Sequence, residues 1–190
     1  MPANLIEDPW LSFLKEIDDS LRSKIAFHCF GAFAITIQFG LPRETSDVDV
    51  MSGVVREHQD KLVDLAGKDS SLHKKHSVYL DVVGAIATVP DNYEDRLIPI
   101  AAPFSKIRFY VMEVHDIVLA KLCRDHPKDI QDVEYLARVT RLDTGLLKER
   151  YRSELRHNVI GPLDRADGIL EYWINVVNEI QGTSHPPIID

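Results

Sequence analysis

Asp47-Val48-Asp49-Val50-Met51 sets two carboxylates at alternate positions among apolar residues. Alternation with period two is the pattern of a half-buried strand, so both aspartates face one side. Two residues of strand separate them by about 7 Å, a gap that their side chains can close around one or two divalent cations. Oxygen ligands of this kind suit magnesium, which takes one or two protein carboxylates and completes its shell with water and substrate phosphates. The pair therefore points to nucleotide chemistry rather than to a structural metal cage. Asp81 is the candidate third ligand. It interrupts the apolar stretch Tyr79-Leu80-Asp81-Val82-Val83, where a buried carboxylate is costly unless it meets a metal or a hydrogen-bond donor.

Gly31 separates a strand-length apolar run, Ile25 to Phe30, from a second run, Ala32 to Phe39, that reads as a buried helix ending near Gly40-Leu41-Pro42. At such a junction the backbone can approach a phosphate closely, with helix N-terminal amides supplying positive potential. A tight turn alone explains most glycines so placed. Lys121 falls within the core stripe Val114, Ile117, Val118, Leu122. Either its stem lies along the core edge with the ammonium reaching solvent, or it reaches nucleotide phosphates and neutralises developing charge. Asp129 and Asp132 stand near the start of a helix, where acids favour the macrodipole in any case. Arg43, Thr45 and Ser46 precede the carboxylate strand and could fix its entry turn or orient phosphate and Asp47. His28 reads as a core histidine, and Asp116 beside His115 as part of a helix start; neither is taken as catalytic.

The elements that must position these groups follow from pattern. Asp8-Pro9-Trp10 begins an amphipathic helix, with Leu11, Leu14, Ile17 and Leu21 at helical spacing, running to about Ser23. After the carboxylate strand come a helix from about Arg56 to Ala66, a long strand Val78 to Thr88, and a strand from Ser105 to Met112 with Ile107, Phe109 and Val111 on one side. Helices then follow over Glu113 to Arg124, Pro127 to Thr140, Thr144 to His157 and Leu163 to Gln181. Early strands and late helices define an α+β chain. Residues 1–112 form the sheet core and 113–190 a helical part expected to pack on it as one structural unit.

The chain has 190 residues, 45% of them hydrophobic and 27% charged, ordinary figures for a folded domain. A net charge of -8 argues against nonspecific coating of nucleic acid, which draws on many basic contacts. Local basic groups remain, His73-Lys74-Lys75-His76 and the set Lys148, Arg150, Arg152, Arg156. No apolar stretch reaches membrane-spanning length and the N-terminus has no signal-peptide pattern, so neither anchor nor membrane partner is expected. Cys29 and Cys123 sit among apolar neighbours without metal-site spacing and read as free thiols of a cytoplasmic protein.

Phe30-Gly31-Ala32-Phe33-Ala34-Ile35, a gap, then Arg43-Glu44-Thr45-Ser46-Asp47-Val48-Asp49-Val50 resembles the signature of the minimal nucleotidyltransferases of the DNA polymerase beta superfamily. The Arg-x-Thr-x-Asp-x-Asp form, with Asp116-Ile117-Val118-Leu119-Ala120-Lys121 and Pro127-Lys128-Asp129-Ile130-Gln131-Asp132-Val133 beyond it, is more specifically similar to the AbiEii-like toxin nucleotidyltransferases. The resemblance spans about Phe27 to Leu136. It implies a nucleotidyltransferase fold, a small mixed β-sheet flanked by helices with a C-terminal helical part. It implies two magnesium ions on Asp47, Asp49 and Asp81, a nucleoside triphosphate such as ATP lined by Gly31 and Ala32, and roles for Lys121 and for Asp129 or Asp132. The family usually has Gly or Ser where Ala32 stands, which leaves phosphate contact there to backbone amides.

The activity so implied is transfer of a nucleoside monophosphate to an acceptor with release of pyrophosphate. The acceptor is tRNA or a protein if the chain is the toxin of a toxin-antitoxin pair, with an antitoxin partner and with Arg150 to Arg156 as the acceptor platform. A small-molecule, antibiotic-type acceptor is the alternative, and a noncatalytic nucleotide-binding module of the same fold is another.

Overall fold

A computed structural model describes residues 6–52, 56–83, 88–122, 124 and 126–183. Five strands and eight α-helices occur among them. In chain order they are α1 (Trp10–Ser20), β1 (Ile25–Cys29), α2 (Gly31–Phe39), β2 (Asp47–Ser52), α3 (Arg56–Ala66), α4 (Ser71–His76), β3 (Tyr79–Val83), β4 (Ile98–Ile100), β5 (Ile107–Val111), α5 (Val114–Leu122), α6 (Pro127–Val139), α7 (Thr144–Arg150) and α8 (Leu163–Thr183). The chain divides into two compact units, Met1–Ala87 with Arg96–Met112, and Thr88–Asp95 with Glu113–Asp190.

All five strands belong to the first unit and form one mixed sheet in the order β3-β2-β1-β5-β4. β1 pairs antiparallel with β2 and parallel with β5, β2 pairs parallel with β3, and β4 closes the edge antiparallel to β5. The alternation read from the sequence sets the faces. Phe27, Cys29, Val48, Val50, Leu80, Ile107, Phe109 and Val111 are buried on one of them. Aromatic edges knit that face to the helices, Phe33 of α2 meeting Phe109 at 5.9 Å and Trp10 of α1 at 5.3 Å. The opposite face carries Asp47, Asp49, Asp81 and half-exposed residues of the middle strands.

Asp18 ties α1 to the start of β5. Its buried carboxylate accepts from the backbone N–H groups of Ser105, Lys106 and Ile107 at 2.7 to 2.8 Å and from the Ser105 hydroxyl at 2.8 Å. Burial alone would push this carboxyl up, but the four donors outweigh it and hold it at about 2. Gly40 ends α2 in the left-handed region at φ 70°, donating its N–H to Thr36.

The second unit is helical. Residues 88–95 join it through Asp91, whose carboxylate receives His157 at 2.7 Å and Asn158 at 2.6 Å. Glu113 at the start of α5 binds its neighbour His115 at 2.7 Å and also accepts from Arg150, which reaches Asp116 at 2.9 Å. His115 Nε2 accepts the Asp143 N–H at 2.9 Å, so Nδ1 is the nitrogen that donates to Glu113. His115 is thus paired with Glu113, and Asp116 with Arg150.

Three element bounds need correction. α1 stops at Ser20, short of Ser23. The strand expected over Val78 to Thr88 is Tyr79–Val83, with residues 84–87 outside the described set. The basic run His73 to His76 is the body of α4, capped by Ser70, whose hydroxyl accepts the His73 N–H at 3.1 Å. The helix expected from Thr144 to His157 ends at Arg150 and continues as a π turn over Tyr151–Leu155 and a 3-10 turn over Arg156–Asn158. β4 has no expected counterpart, since Pro99 at its centre suppresses a strand signal and is tolerated only because β4 lies at the sheet edge.

Candidate active site

Parallel pairing of β2 with β3 sets Asp49 directly opposite Asp81 and Asp47 opposite Tyr79. Side chains of opposite residues in a ladder share a face, so three carboxylates from two adjacent strands gather at one end of the sheet. Asp81 is exposed, Asp47 is half-buried, and Asp49 is 3% exposed. The grouping depends on a register that places Asp81 level with Asp49.

Gly31 fixes how β1 hands over to α2 beside this group. Its φ is +71°, and a β-carbon built on it would lie 1.7 Å from Asp49 Oδ2. Only glycine accommodates both the left-handed backbone and the carboxylate oxygen at that point. The Phe30 N–H donates to the Asp49 carbonyl at 3.2 Å, which locks the turn to β2. Ala32 follows, 7% exposed, in the first turn of α2. The turn expected to approach phosphate therefore adjoins the buried aspartate.

The loop before β2 performs the other fixing. The Thr45 hydroxyl donates to Asp47 Oδ1, and the Ser46 carbonyl accepts the Tyr79 N–H at 2.9 Å. Thr45 therefore orients the first aspartate, and Ser46 starts the β2–β3 ladder through its backbone. Arg43 is half-buried in the same loop.

The field around these carboxylates is negative. Burial raises the Tyr79 hydroxyl, and the charges of Asp47, Asp81 and Asp49 raise it further. Burial likewise drives the Cys29 thiol well up, with Asp49 adding to it. Among the described residues no three His, Cys, Asp or Glu side chains already converge on a point that could hold a metal ion. Magnesium needs no such convergence, because one or two carboxylates suffice when water and substrate phosphates complete the shell. Hard oxygen donors in a negative field, one of them admitted beside a backbone turn by the missing Gly31 β-carbon, fit that chemistry.

Lys121, Asp129 and Asp132 lie in the helical unit, and all three are sealed from solvent at 2%, 0% and 1% exposure. Lys121 Nζ donates to Asp129 Oδ1 at 3.1 Å and to Asp132 Oδ2 at 2.8 Å. Asp129 also accepts from Arg124 at 2.8 Å and from the His126 N–H at 3.2 Å, which makes it the returning arm of a capping box at the start of α6. Burial pushes Asp129 up, but Arg124 and Lys121 outweigh it and hold it below the usual carboxylate range. Asp129 thus serves the start of α6, as its place in the first turn suggests, and Lys121 has structural employment that spacing alone could not reveal.

The late basic set also separates by environment. Arg150 is bound to Glu113 and Asp116, and Arg156 grips Asp167 through two nitrogens at 2.9 and 2.8 Å. Lys148 and Arg152 are exposed beside a cavity of about 250 Å³ whose apolar lining includes Leu170 and Ile174. Tyr79, beside Asp47 in the ladder and edge-on to His73 at 5.1 Å, is a site neighbour that sequence reading passed over. The signal available was its place two residues before Asp81.

A mixed sheet whose first strand turns at a glycine into a helix, with carboxylates on the next two strands of the ladder, is the architecture of a nucleotidyltransferase. A family model described as nucleotidyltransferase of unknown function, DUF6036, matches residues 11–175, and the chain belongs to that family. A solved structure from H. pylori, described as a candidate nucleotidyltransferase, is similar over 96% of this chain and 100% of its own, at 12% identity and a TM-score of 0.32. No curated protein matches the chain. No helix among the described residues is long and apolar enough to cross a membrane.

Proposed function

We propose that the chain is a magnesium-dependent nucleotidyltransferase that moves a nucleoside monophosphate from a nucleoside triphosphate to an acceptor hydroxyl. The observation that carries this reading is the juxtaposition of Asp47, Asp49 and Asp81 on paired strands with the Gly31 turn against Asp49. Asp47 and Asp49 would hold magnesium, with Asp81 as third ligand. Bound magnesium supplies charge neutralisation at the phosphates and a lowered pKa for the attacking hydroxyl. The Gly31 and Ala32 amides at the start of α2 receive the triphosphate. Thr45 keeps Asp47 in place, and Arg43 and Ser46 complete the loop beside it. Asp81, the most accessible carboxylate, accepts the proton of the attacking hydroxyl. The acceptor oxygen bonds to the α-phosphorus, the bond from that phosphorus to the bridging oxygen breaks, and pyrophosphate leaves.

Lys121 was expected at the phosphates. Its two buried carboxylate bonds favour a positioning role, holding α5 to α6 together with Asp129 and Asp132. For the acceptor, the AbiEii-like resemblance favours tRNA or a protein, with the chain as a toxin neutralised by an antitoxin. Within the Arg150 to Arg156 acceptor platform Arg152 is exposed, and Lys148 is exposed next to it. A small-molecule acceptor is the alternative.

The test is label transfer from α-labelled ATP, GTP, CTP and UTP, with magnesium, to total tRNA, a protein extract and aminoglycosides. Transfer that disappears in Asp49→Asn supports the reading, and the labelled fraction names the acceptor. Transfer unchanged in Asp49→Asn removes it. Thermal stabilisation by NTPs without any transfer leaves the noncatalytic nucleotide-binding module.

A further inference from the structure

The sheet face that bears the carboxylates has a second row of side chains beside them. Ladder register aligns Tyr110 of β5, His28 of β1, Met51 of β2 and Val83 of β3 across four adjacent strands. All four are half-exposed, whereas Phe27, Cys29, Val50, Phe109 and Val111, which alternate with them, are buried on the opposite face. Met51 and Val83 lie two residues beyond Asp49 and Asp81 on their own strands, a step of about 7 Å. The His28 and Tyr110 rings meet edge to face, centroids 5.8 Å apart and planes at 88°. On the far side of the carboxylates Tyr79 makes the same kind of edge-to-face contact with His73.

We infer that this row is the platform for the heterocyclic base of the nucleoside triphosphate, with His28 and Tyr110 supplying the stacking rings and Met51 and Val83 the apolar floor. The inference rests on the nucleotidyltransferase reading and deepens it. Triphosphate held between Gly31 and the carboxylates leaves the base one ribose away, the interval the second row occupies. Every base has a π-face, so flat rings beside a phosphate site bind nucleotides with little regard to base identity. His28, which sequence pattern places among core histidines, is thereby a binding residue.

The test is calorimetric titration of the full chain, with magnesium, using the four NTPs and inorganic tripolyphosphate. NTPs should bind more tightly than tripolyphosphate. Tyr110→Ala and His28→Ala should each weaken NTP binding about tenfold, within the range for loss of one stacked base, and leave tripolyphosphate binding unchanged. Tyr110→Phe, which keeps the ring, should retain wild-type affinity. Ring proton resonances of His28 in the wild type should move on adding an NTP and stay fixed with tripolyphosphate, a readout that survives any folding defect of the alanine variants. Equal affinity for tripolyphosphate and NTPs, or His28 resonances indifferent to NTPs, overturns the platform while leaving a phosphate site intact. Binding of neither compound overturns the nucleotidyltransferase reading and the platform with it.

Discussion

One charged cluster in the helical unit and one in the sheet unit are built oppositely. In the helical unit, Asp129 and Asp132 are sealed from water and answered by Lys121, with Arg124 on Asp129 as well. In the sheet unit, Asp47, Asp49 and Asp81 range from buried to exposed, and burial together with their charges raises the neighbouring Tyr79 hydroxyl. Cations hold Asp129 below its usual range against burial, whereas burial and the carboxylates together push Tyr79 above its own. A sealed, compensated cluster stabilises one arrangement of helices. A cluster of carboxylates that reaches solvent can gain by taking up a cation.

The largest expected effect tests the accessible cluster. Asp49→Asn should lower label transfer by about a thousandfold or more, as expected when several kcal/mol of metal-dependent stabilisation is lost. It should leave thermal unfolding in the absence of nucleotide close to wild type, because the amide is the same size. Retained transfer, or unfolding of the variant, would break the comparison, since Asp49 would then be a structural carboxylate like Asp129.

The reciprocal experiment concerns the sealed cluster. Lys121→Met removes the cation from two buried carboxylates and should cost about 3 to 5 kcal/mol in denaturant unfolding, the usual penalty for breaking a buried pair on one side. Adding Asp129→Asn and Asp132→Asn to it should recover much of that loss, since no buried charge then stands uncompensated. A Lys121→Met variant of wild-type stability that no longer transfers label would return Lys121 to the phosphates.

Much of the sheet unit was legible in the sequence because short-range pattern determines it. The period-two alternation of Asp47 to Met51 makes β2, the break at Gly31 separates β1 from α2, and the isolated Asp81 marks β3. What stayed hidden depends on partners far apart in the chain or on geometry that spacing does not encode. Lys121 in an apolar stripe looks the same whether its ammonium meets phosphate or Asp129 and Asp132, because the answer lies in how α6 folds back on α5. His28 alternates with buried Phe27 and Cys29, yet only the sheet's pairing shows that it lines up with Tyr110 on the other face. The end of α7 at Arg150 was invisible for a different reason: Tyr151 to His157 contains neither Gly nor Pro, and the π turn leaves no compositional mark. β4 is three residues long, and α4 was obscured by its own charge.

Gly31→Ala sharpens the contrast from the backbone side. A residue with a β-carbon at φ +71° costs about 1 to 3 kcal/mol, and here the Asp49 carboxylate must also move from 1.7 Å. A total loss of about 3 kcal/mol or more is expected in chemical unfolding, together with loss of NTP-dependent stabilisation. Full stability in Gly31→Ala would mean that Asp49 can leave the turn freely, and the turn would then have no part in presenting it.

Acid supplies the smallest effect and separates compensated carboxylates from the rest. Burial pushes Glu113 up, but hydrogen bonds from His115 and Arg150 and the charge of Arg150 overcome it and bring the carboxyl to about 2, against an ordinary value of 4.5. A folded-state pKa below the unfolded one contributes stability that is present in full above pH 4.5 and lost as pH falls through about 2. Its size is on the order of 2 kcal/mol, below the full linkage value because the side chain is 25% exposed. Unfolding curves measured from pH 5 to pH 2 should therefore lose less stability with falling pH in Glu113→Gln than in the wild type. The variant should be the less stable of the two at pH 6, since Arg150 then keeps only Asp116 as an anionic partner in that network. Parallel curves for variant and wild type across this range would show that Glu113 titrates normally, and the network with Arg150 and His115 would have to be counted with the weakly coupled surface pairs.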